Sequence, residues 1–249
     1  EDVIKDQETP GEYEVVSGDT LSEISIKVNI PMDQIIAMNS ETLTDENSTI
    51  RVGDKLIITV PQPELSVERM EQNYYEEIYQ YYKALLNLHI PMDFVGVDDE
   101  LSGYKVVIAP MLYMCKDGYD EKIRAYVKAG GTFLTSYFSG YVEDHDLVIT
   151  GGYPGRLRDI LGIWVEESDA IPEGNIGMKH TFAYKDVTYP AEVLCDLLHT
   201  EGADTLAVYD NDFYAGMPVL TCNSFGTGKA YYVATRSDGE FYRTFLTDI

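Results

Sequence analysis

Cysteine, histidine and carboxylate side chains are the groups of this chain with chemistry to offer, and their spacing offers little of it. The three cysteines, Cys115, Cys195 and Cys222, are odd in number and far apart, with neither a CxxC step nor Cys/His ligand spacing. A disulfide framework or a zinc site is therefore not expected, and buried free thiols are. Aspartate and glutamate number 43, but no spacing sets two of them up as an acid/base pair, and a solvated face accounts for most. The run Phe225-Gly226-Thr227-Gly228-Lys229 has the glycines and lysine of a phosphate loop, yet it lacks the four-residue spacer before Gly-Lys and a helix after it. It reads as a hairpin turn.

The turn Ser17-Gly18-Asp19-Thr20 is more informative, because the elements around it are legible. Tyr13 and Val15 suggest a short strand before it, and Asp19 or Thr20 can cap a helix beginning near Leu21, where Leu21, Ile24 and Val28 recur at helical spacing. Pro31 allows a second helix, with Asp33 near its positive end, Ile35, Ile36 and Met38 on an apolar face, and Asn39-Ser40 as its stop. After a polar loop from Thr42 to Ser48, residues 50–61 put a turn before a strand that closes on Pro61. The predicted order is strand, helix, helix, strand.

Composition divides the chain at about residue 72. Of 20 tyrosines only Tyr13 precedes residue 73, and every Phe, Trp, Cys and His follows it, so the two parts bury different side chains. The net charge of −25 is spread over both, with 16 acids against 5 bases up to residue 72 and 27 against 13 after it. Nucleic acid and anionic membrane faces would be repelled. No stretch approaches the roughly 20 apolar residues of a membrane span, and the polar, acidic start does not read as a signal peptide.

Residues 62–72 read as a Pro-flanked acidic linker with a short strand at Leu65–Val67. Beyond it, Tyr75, Ile78, Tyr79, Tyr82, Leu85 and Leu86 share a helix face, residues 92–95 and 104–110 read as buried strands, and residues 119–128 form a helix stopped by Gly130-Gly131 before a strand over 132–137. Helix at 157–161, an element over 191–198, strands at 206–209 and 219–221 and a final strand ending near Ala234 complete the reading. Alternating helices and apolar runs predict an α/β domain with a mostly parallel, flavodoxin-like sheet covered on both faces.

The words YEVVSGDTLSEIS and VGDKLIITVP, in the βααβ order above, resemble a LysM module over residues 12–61, preceded by a tail of residues 1–11. That resemblance implies binding of N-acetylglucosamine-containing polymers, peptidoglycan or chitin, in a shallow groove with Gly18, Asp19, Thr20 and Leu21 on one wall and Asn29, Ile30 and Pro31 on the other. Turn N–H and C=O groups would bond the acetamido groups. With Tyr13 as its one aromatic residue, such a module implies weak binding that depends on avidity.

The segments YYKALLNLHIPMDFV, LSGYKVVIAPMLYM, IRAYVKAGGTFLTSYFSGYVEDHDLV, GGYPGRLRDILGIWVEE and DNDFYAGMPVLTCNSFGTGKAYYVATR resemble, in order over residues 73–249, the trimerisation domain of the family 42 β-galactosidases. The fold this implies resembles class I glutamine amidotransferases, whose nucleophilic Cys sits at a turn that here reads Ser136-Tyr137-Phe138-Ser139. No Cys stands there, and Cys115 with His145 and Glu143 makes no Cys-His-Glu constellation. The family's sugar hydrolysis rests on two glutamates of a preceding barrel.

Together the resemblances imply a non-catalytic protein that binds glycan through LysM and self-associates as a trimer. The alternative is an accessory or fragment of a family 42 β-galactosidase with its barrel supplied elsewhere. They imply no cofactor, no metal, no nucleic acid partner and an extracellular or cell-wall-associated place in a bacterium.

Overall fold

Helix formers, glycine turns and apolar runs sort the chain into elements that the computed structural model describes over residues 12–28, 30–40, 42–45, 48–58, 67–171 and 179–249. The chain divides into two compact units, residues 1–68 and 69–249. In unit one, β1 (Glu12–Glu14) pairs antiparallel with β2 (Lys55–Ile57) in the register Glu12↔Ile57, Tyr13↔Leu56 and Glu14↔Lys55. Helices α1 (Leu21–Val28) and α2 (Met32–Met38) lie between them in sequence. Val15, Leu21, Ile24, Ile30, Ile35, Leu43 and Leu56 form one buried cluster. The βααβ order expected from periodicity is the order observed.

Unit two opens on α3 (Val67–Asn87), so the second half of the expected linker is helical. Glu68, Arg69, Met70, Glu71 and Gln72 are all good helix formers with no Gly or Pro among them, which explains the early start. Residues 59–66, with most of the strand expected at Leu65–Val67, lie outside the described residues. After α3 come β3 (Val106–Ala109), α4 (Tyr119–Lys128) and β4 (Thr132–Ser136). A single 3-10 turn leads into α5 (Arg158–Leu161), followed by β5 (Ile163–Ala170), β6 (Thr181–Tyr184), β7 (Val187–Pro190) and β8 (Glu192–Thr200). Strands β9 (Asp204–Tyr209), β10 (Pro218–Phe225), β11 (Gly228–Val233) and β12 (Thr235–Arg236) precede α6 (Gly239–Asp248). Asp238 caps α6 by accepting the N–H groups of Glu240 and Phe241, and the helix buries Phe241, Tyr242, Phe245 and Leu246.

The main sheet runs β3-β4-β11-β10-β9-β6-β7, and β12-β8-β5 form a smaller one. The unit is therefore mixed α/β and strand-rich. The expected mostly parallel, flavodoxin-like sheet is corrected: only β3–β4 and β4–β11 pair in parallel, while β11–β10, β10–β9, β9–β6 and β6–β7 are antiparallel. Tight connections impose this. Phe225 faces Gly228 across the Gly226-Thr227 turn and Tyr184 faces Val187 across another, and a two-residue turn can join only antiparallel neighbours. Burial on both faces of β10 made it look like a parallel strand. The strand expected at Met92–Val95 is also corrected: residues 91–96 form neither strand nor helix, and Phe94 is 77% exposed.

Candidate glycan-binding turn and association unit

The turn at the head of α1 closes when the Asp19 N–H donates to the Val16 carbonyl at 3.2 Å. Gly18 takes φ +98°, in the left-handed region that favours glycine, and a Cβ there would meet nothing within 4 Å. Its N–H and C=O make no hydrogen bond within the described residues. Thr20 and Glu23 form a reciprocal capping box: the Glu23 N–H donates to Thr20 Oγ1 at 3.2 Å, and the Thr20 N–H donates to Glu23 Oε2 at 3.0 Å. Thr20 is therefore the cap.

Asp19 has a different task. Its carboxylate takes the Lys27 ammonium, the Val16 N–H at 2.9 Å and the Tyr13 hydroxyl at 2.9 Å, which staples strand, turn and helix. The Lys27 ammonium, then the Val16 N–H, hold its carboxyl below the ordinary carboxylate range. Of the remaining expected contacts, the side chains of Leu21 and Ile30 are buried in the same core. Ile30 also spends its backbone on Ser25, donating to the carbonyl at 3.1 Å and accepting from Oγ at 2.7 Å. Pro31 is exposed, and its carbonyl accepts the N–H groups of Gln34 and Ile35. Asn29 lies outside the described residues. Gly18, Thr20 and Pro31 are thus exposed, whereas Asp19 is committed to the turn and Leu21 and Ile30 to the core.

Sequence reasoning took Asn39 as a helix stop and missed what it holds. Its amide donates to the Ile35 and Ile57 carbonyls at 2.8 and 2.9 Å and accepts the Ile57 N–H at 2.8 Å, so one buried side chain ties α2 to β2. An Asn ending a helix was the visible signal, but its partner 18 residues on was not.

In unit two the turn after β4 is built tightly and carries no cysteine. Ser136 Oγ accepts the Met111 N–H and Ser139 Oγ the Leu112 N–H, each at 2.9 Å, clamping the loop after β3 to the turn after β4. Phe138 sits between them at φ +60°. Cys115 is buried, and burial pushes its thiol up to about 11, which disfavours a thiolate at neutral pH. Cys195 and Cys222 are also buried free thiols with their pKa raised by burial.

Two buried carboxylates were not foreseen. Glu77 of α3 accepts Arg236 Nε at 3.0 Å, the Tyr137 hydroxyl at 3.1 Å and the Tyr242 hydroxyl at 2.7 Å. Asp196 of β8 accepts the Tyr232 hydroxyl at 2.6 Å, Ser168 Oγ at 2.5 Å and the Phe138 N–H at 3.4 Å. Partners up to 165 residues apart leave no local signal. Among the described residues no three His, Cys, Asp or Glu side chains gather as metal ligands, and no helix is long and apolar enough to cross a membrane.

Comparison with known proteins bears on both units. Residues 13–59 match the LysM domain and residues 61–249 match the β-galactosidase trimerisation domain. The β-galactosidase BgaA of Planococcus sp. (strain 'SOS Orange') is 50% identical over 180 residues, and the β-galactosidase Pbg of Clostridium perfringens is 46% identical over 193. These matches cover 71% and 73% of this chain and 27% of each relative. The crystal structure of a β-galactosidase from Bacillus circulans sp. alkalophilus superposes with a TM-score of 0.68 at 42% identity, over 73% of this chain and 27% of that one.

Two expectations are corrected by these matches. The reading of a protein that is not an enzyme is overturned, because relatives 46–50% identical are named β-galactosidases. The chain spans about a quarter of their length, so the missing barrel carries no weight. The expected extracellular or cell-wall location rested on LysM alone, and the relatives matching most of the chain are named as bacterial β-galactosidases rather than as wall proteins.

Proposed function

The chain belongs to the β-galactosidase trimerisation domain family and carries a LysM domain ahead of it, and from that premise we propose that it is the association part of a bacterial β-galactosidase acting on galactosides. The observation that carries this is the family match over residues 61–249, joined to 50% identity with a named β-galactosidase. In this reading residues 73–249 join three copies, and the sugar-cleaving carboxylates belong to another part of the enzyme. Added to a relative's polypeptide trimmed of its corresponding region, the chain is expected to restore turnover of a chromogenic galactoside. By itself at micromolar concentration it is expected to scatter light as about three times its 28.0 kDa mass. Turnover that the added chain leaves unchanged would remove the enzymatic reading, and a strict monomer would remove the trimer.

We further propose that residues 12–61 bind an N-acetylglucosamine-containing polymer, peptidoglycan or chitin, through the open turn at Gly18 and Thr20 and through Pro31. The N–H and C=O of Gly18, without a hydrogen bond among the described residues, suit an acetamido group, and three weak sites on one trimer would gain from avidity. The chain is expected to sediment with insoluble chitin or peptidoglycan. Gly18→Val should weaken this sharply, since it combines a β-branched side chain with φ +98°. Equal sedimentation of a chain beginning at residue 73 would defeat the assignment.

A further inference from the structure

A carboxylate buried without a cation sits under the aromatic loop that follows β4. Asp196 of β8 is fully buried, and among the described residues no Lys, Arg or His pairs with it. The titratable groups that face it are the hydroxyls of Tyr232 from β11, Tyr141 from the loop after β4 and Tyr209 from β9, none of them a counter-charge.

Its contacts reach that loop by two routes. Oδ2 accepts the Phe138 N–H at 3.4 Å beside the Tyr232 hydroxyl at 2.6 Å, and Oδ1 accepts Ser168 Oγ at 2.5 Å, whose oxygen pairs in turn with the Tyr141 hydroxyl at 2.6 Å. Because Ser168 has one hydrogen and an ionised Asp196 claims it, Tyr141 must be the donor to Ser168. Phe138 needs the hold: a bulky residue at φ +60° keeps that backbone only where its surroundings impose it. Tyr141 stacks on Phe138 and on Tyr153 with ring centroids 4.7 and 3.8 Å apart, and Leu147 and Val148 farther along the loop are 61% exposed. The same hold therefore sets the order of an exposed apolar face.

The geometry points to a proton-operated latch: an ionised Asp196 holds the loop after β4 through Phe138 and Tyr141, and a protonated one lets it loosen. A proton arriving at Tyr141 is relayed without moving heavy atoms. The Tyr141 oxygen takes it and gives its own hydrogen to Ser168, which gives its own to Asp196 Oδ1, so one proton enters, one carboxylate becomes a carboxylic acid and both hydroxyls stay neutral. The chain then runs the other way, the acid donating to Ser168 and Ser168 to Tyr141. Phe138 and Tyr232 are left with a neutral acceptor, which holds a donor about half as strongly as a charged one. The Phe138 N–H, with the longer bond, gives way first. Burial moves this acid up to about 6, so the loop is held above that pH and loosened below it.

Amide hydrogen exchange of the full chain, followed over residues 137–142 and divided by the intrinsic rate at each pH, reads the latch. Protection should fall by about fivefold from pH 7 to pH 5, the worth of charge assistance on one hydrogen bond. Global stability in urea, taken relative to Asp196→Asn, should rise over the same step because a buried charge is removed, whereas acid that merely weakened the fold would lower both. In Asp196→Asn protection should sit at the low value at both pH values. Glu143, Asp144, His145 and Asp146 of the same loop are left in place by that variant, so a fall that persists in it belongs to them and overturns the latch. Ser168→Ala keeps the acid but removes a donor that favours its ionised form, so the midpoint of the loop transition should move to higher pH. That variant also carries the test if Asp196→Asn does not fold. Parent protection that is flat between pH 5 and pH 7, or a midpoint that Ser168→Ala leaves in place, overturns the proposal as well.

Discussion

Arg236→Met is expected to destabilise unit two by about 3–5 kcal/mol, because it strips a buried carboxylate of its counter-charge. Glu77 is fully buried and Arg236 nearly so, and burial, acting against the Tyr242, Arg236 and Tyr137 contacts, raises the Glu77 pKa. With Arg236 gone, two phenol donors remain, and they cannot replace a cation in that surrounding. For a unit of this size the loss lowers the melting temperature by about 10 °C, at roughly 2–4 °C per kcal/mol. The sign with pH is set by the raised acid. Protonation removes the uncompensated charge, so the deficit of the variant should shrink as pH falls and grow as pH rises. Glu77→Gln in the Arg236→Met background should recover most of the stability. A single-variant loss under about 1 kcal/mol in chemical denaturation would show that the pair does not fasten α3 to the strands.

That pair also marks where sequence reading stops. Helix α4 was legible to the residue, since its apolar spacing, its early acids and the following Gly130-Gly131 are all local signals. The Gly226-Thr227 hairpin was legible for the same reason, and so was a cap at Asp19 or Thr20, but not that Thr20 takes it in a box with Glu23. Strand direction away from that hairpin was not, because an apolar run buried on both faces looks the same whether its neighbours are parallel or antiparallel, and β10 proved antiparallel to β9 as well as to its hairpin partner. Helix α6 escaped although Asp238 is an ordinary cap, because its Phe and Tyr residues suit a strand as well as a helix face. At the turn in unit one, Gly18 and Thr20 are exposed. Sequence could not tell that Asp19 was already committed to Lys27, Val16 and Tyr13.

Unit two is further expected to lose about 3 kcal/mol of stability between about pH 4 and pH 7 through Asp196 alone. Burial pushes this acid from 3.8 up to about 6, against the lowering effect of the Ser168, Tyr232 and Phe138 donors. Below the unfolded pKa the group is protonated in both states and contributes nothing. Above about 6 it is ionised in both, and the folded state bears the full cost of a buried charge. In between the folded state holds the proton and the unfolded state has released it, so stability falls as pH rises. A shift of about 2 units at 1.36 kcal/mol each sets the size. Asp159, Glu201 and Asp248 are shifted down by Arg124, Arg158 and Lys185, so they lend stability that is lost as pH falls below about 4, an opposite slope that touches only the acid end of this range. The measurement is therefore a difference: urea unfolding of the parent and of Asp196→Asn at pH 4 and pH 7. The amide cannot ionise, so any packing or hydrogen-bond cost it brings is the same at both values. The variant should gain about 3 kcal/mol on the parent between the two, and a constant offset would mean that Asp196 titrates as an ordinary carboxylate despite its burial.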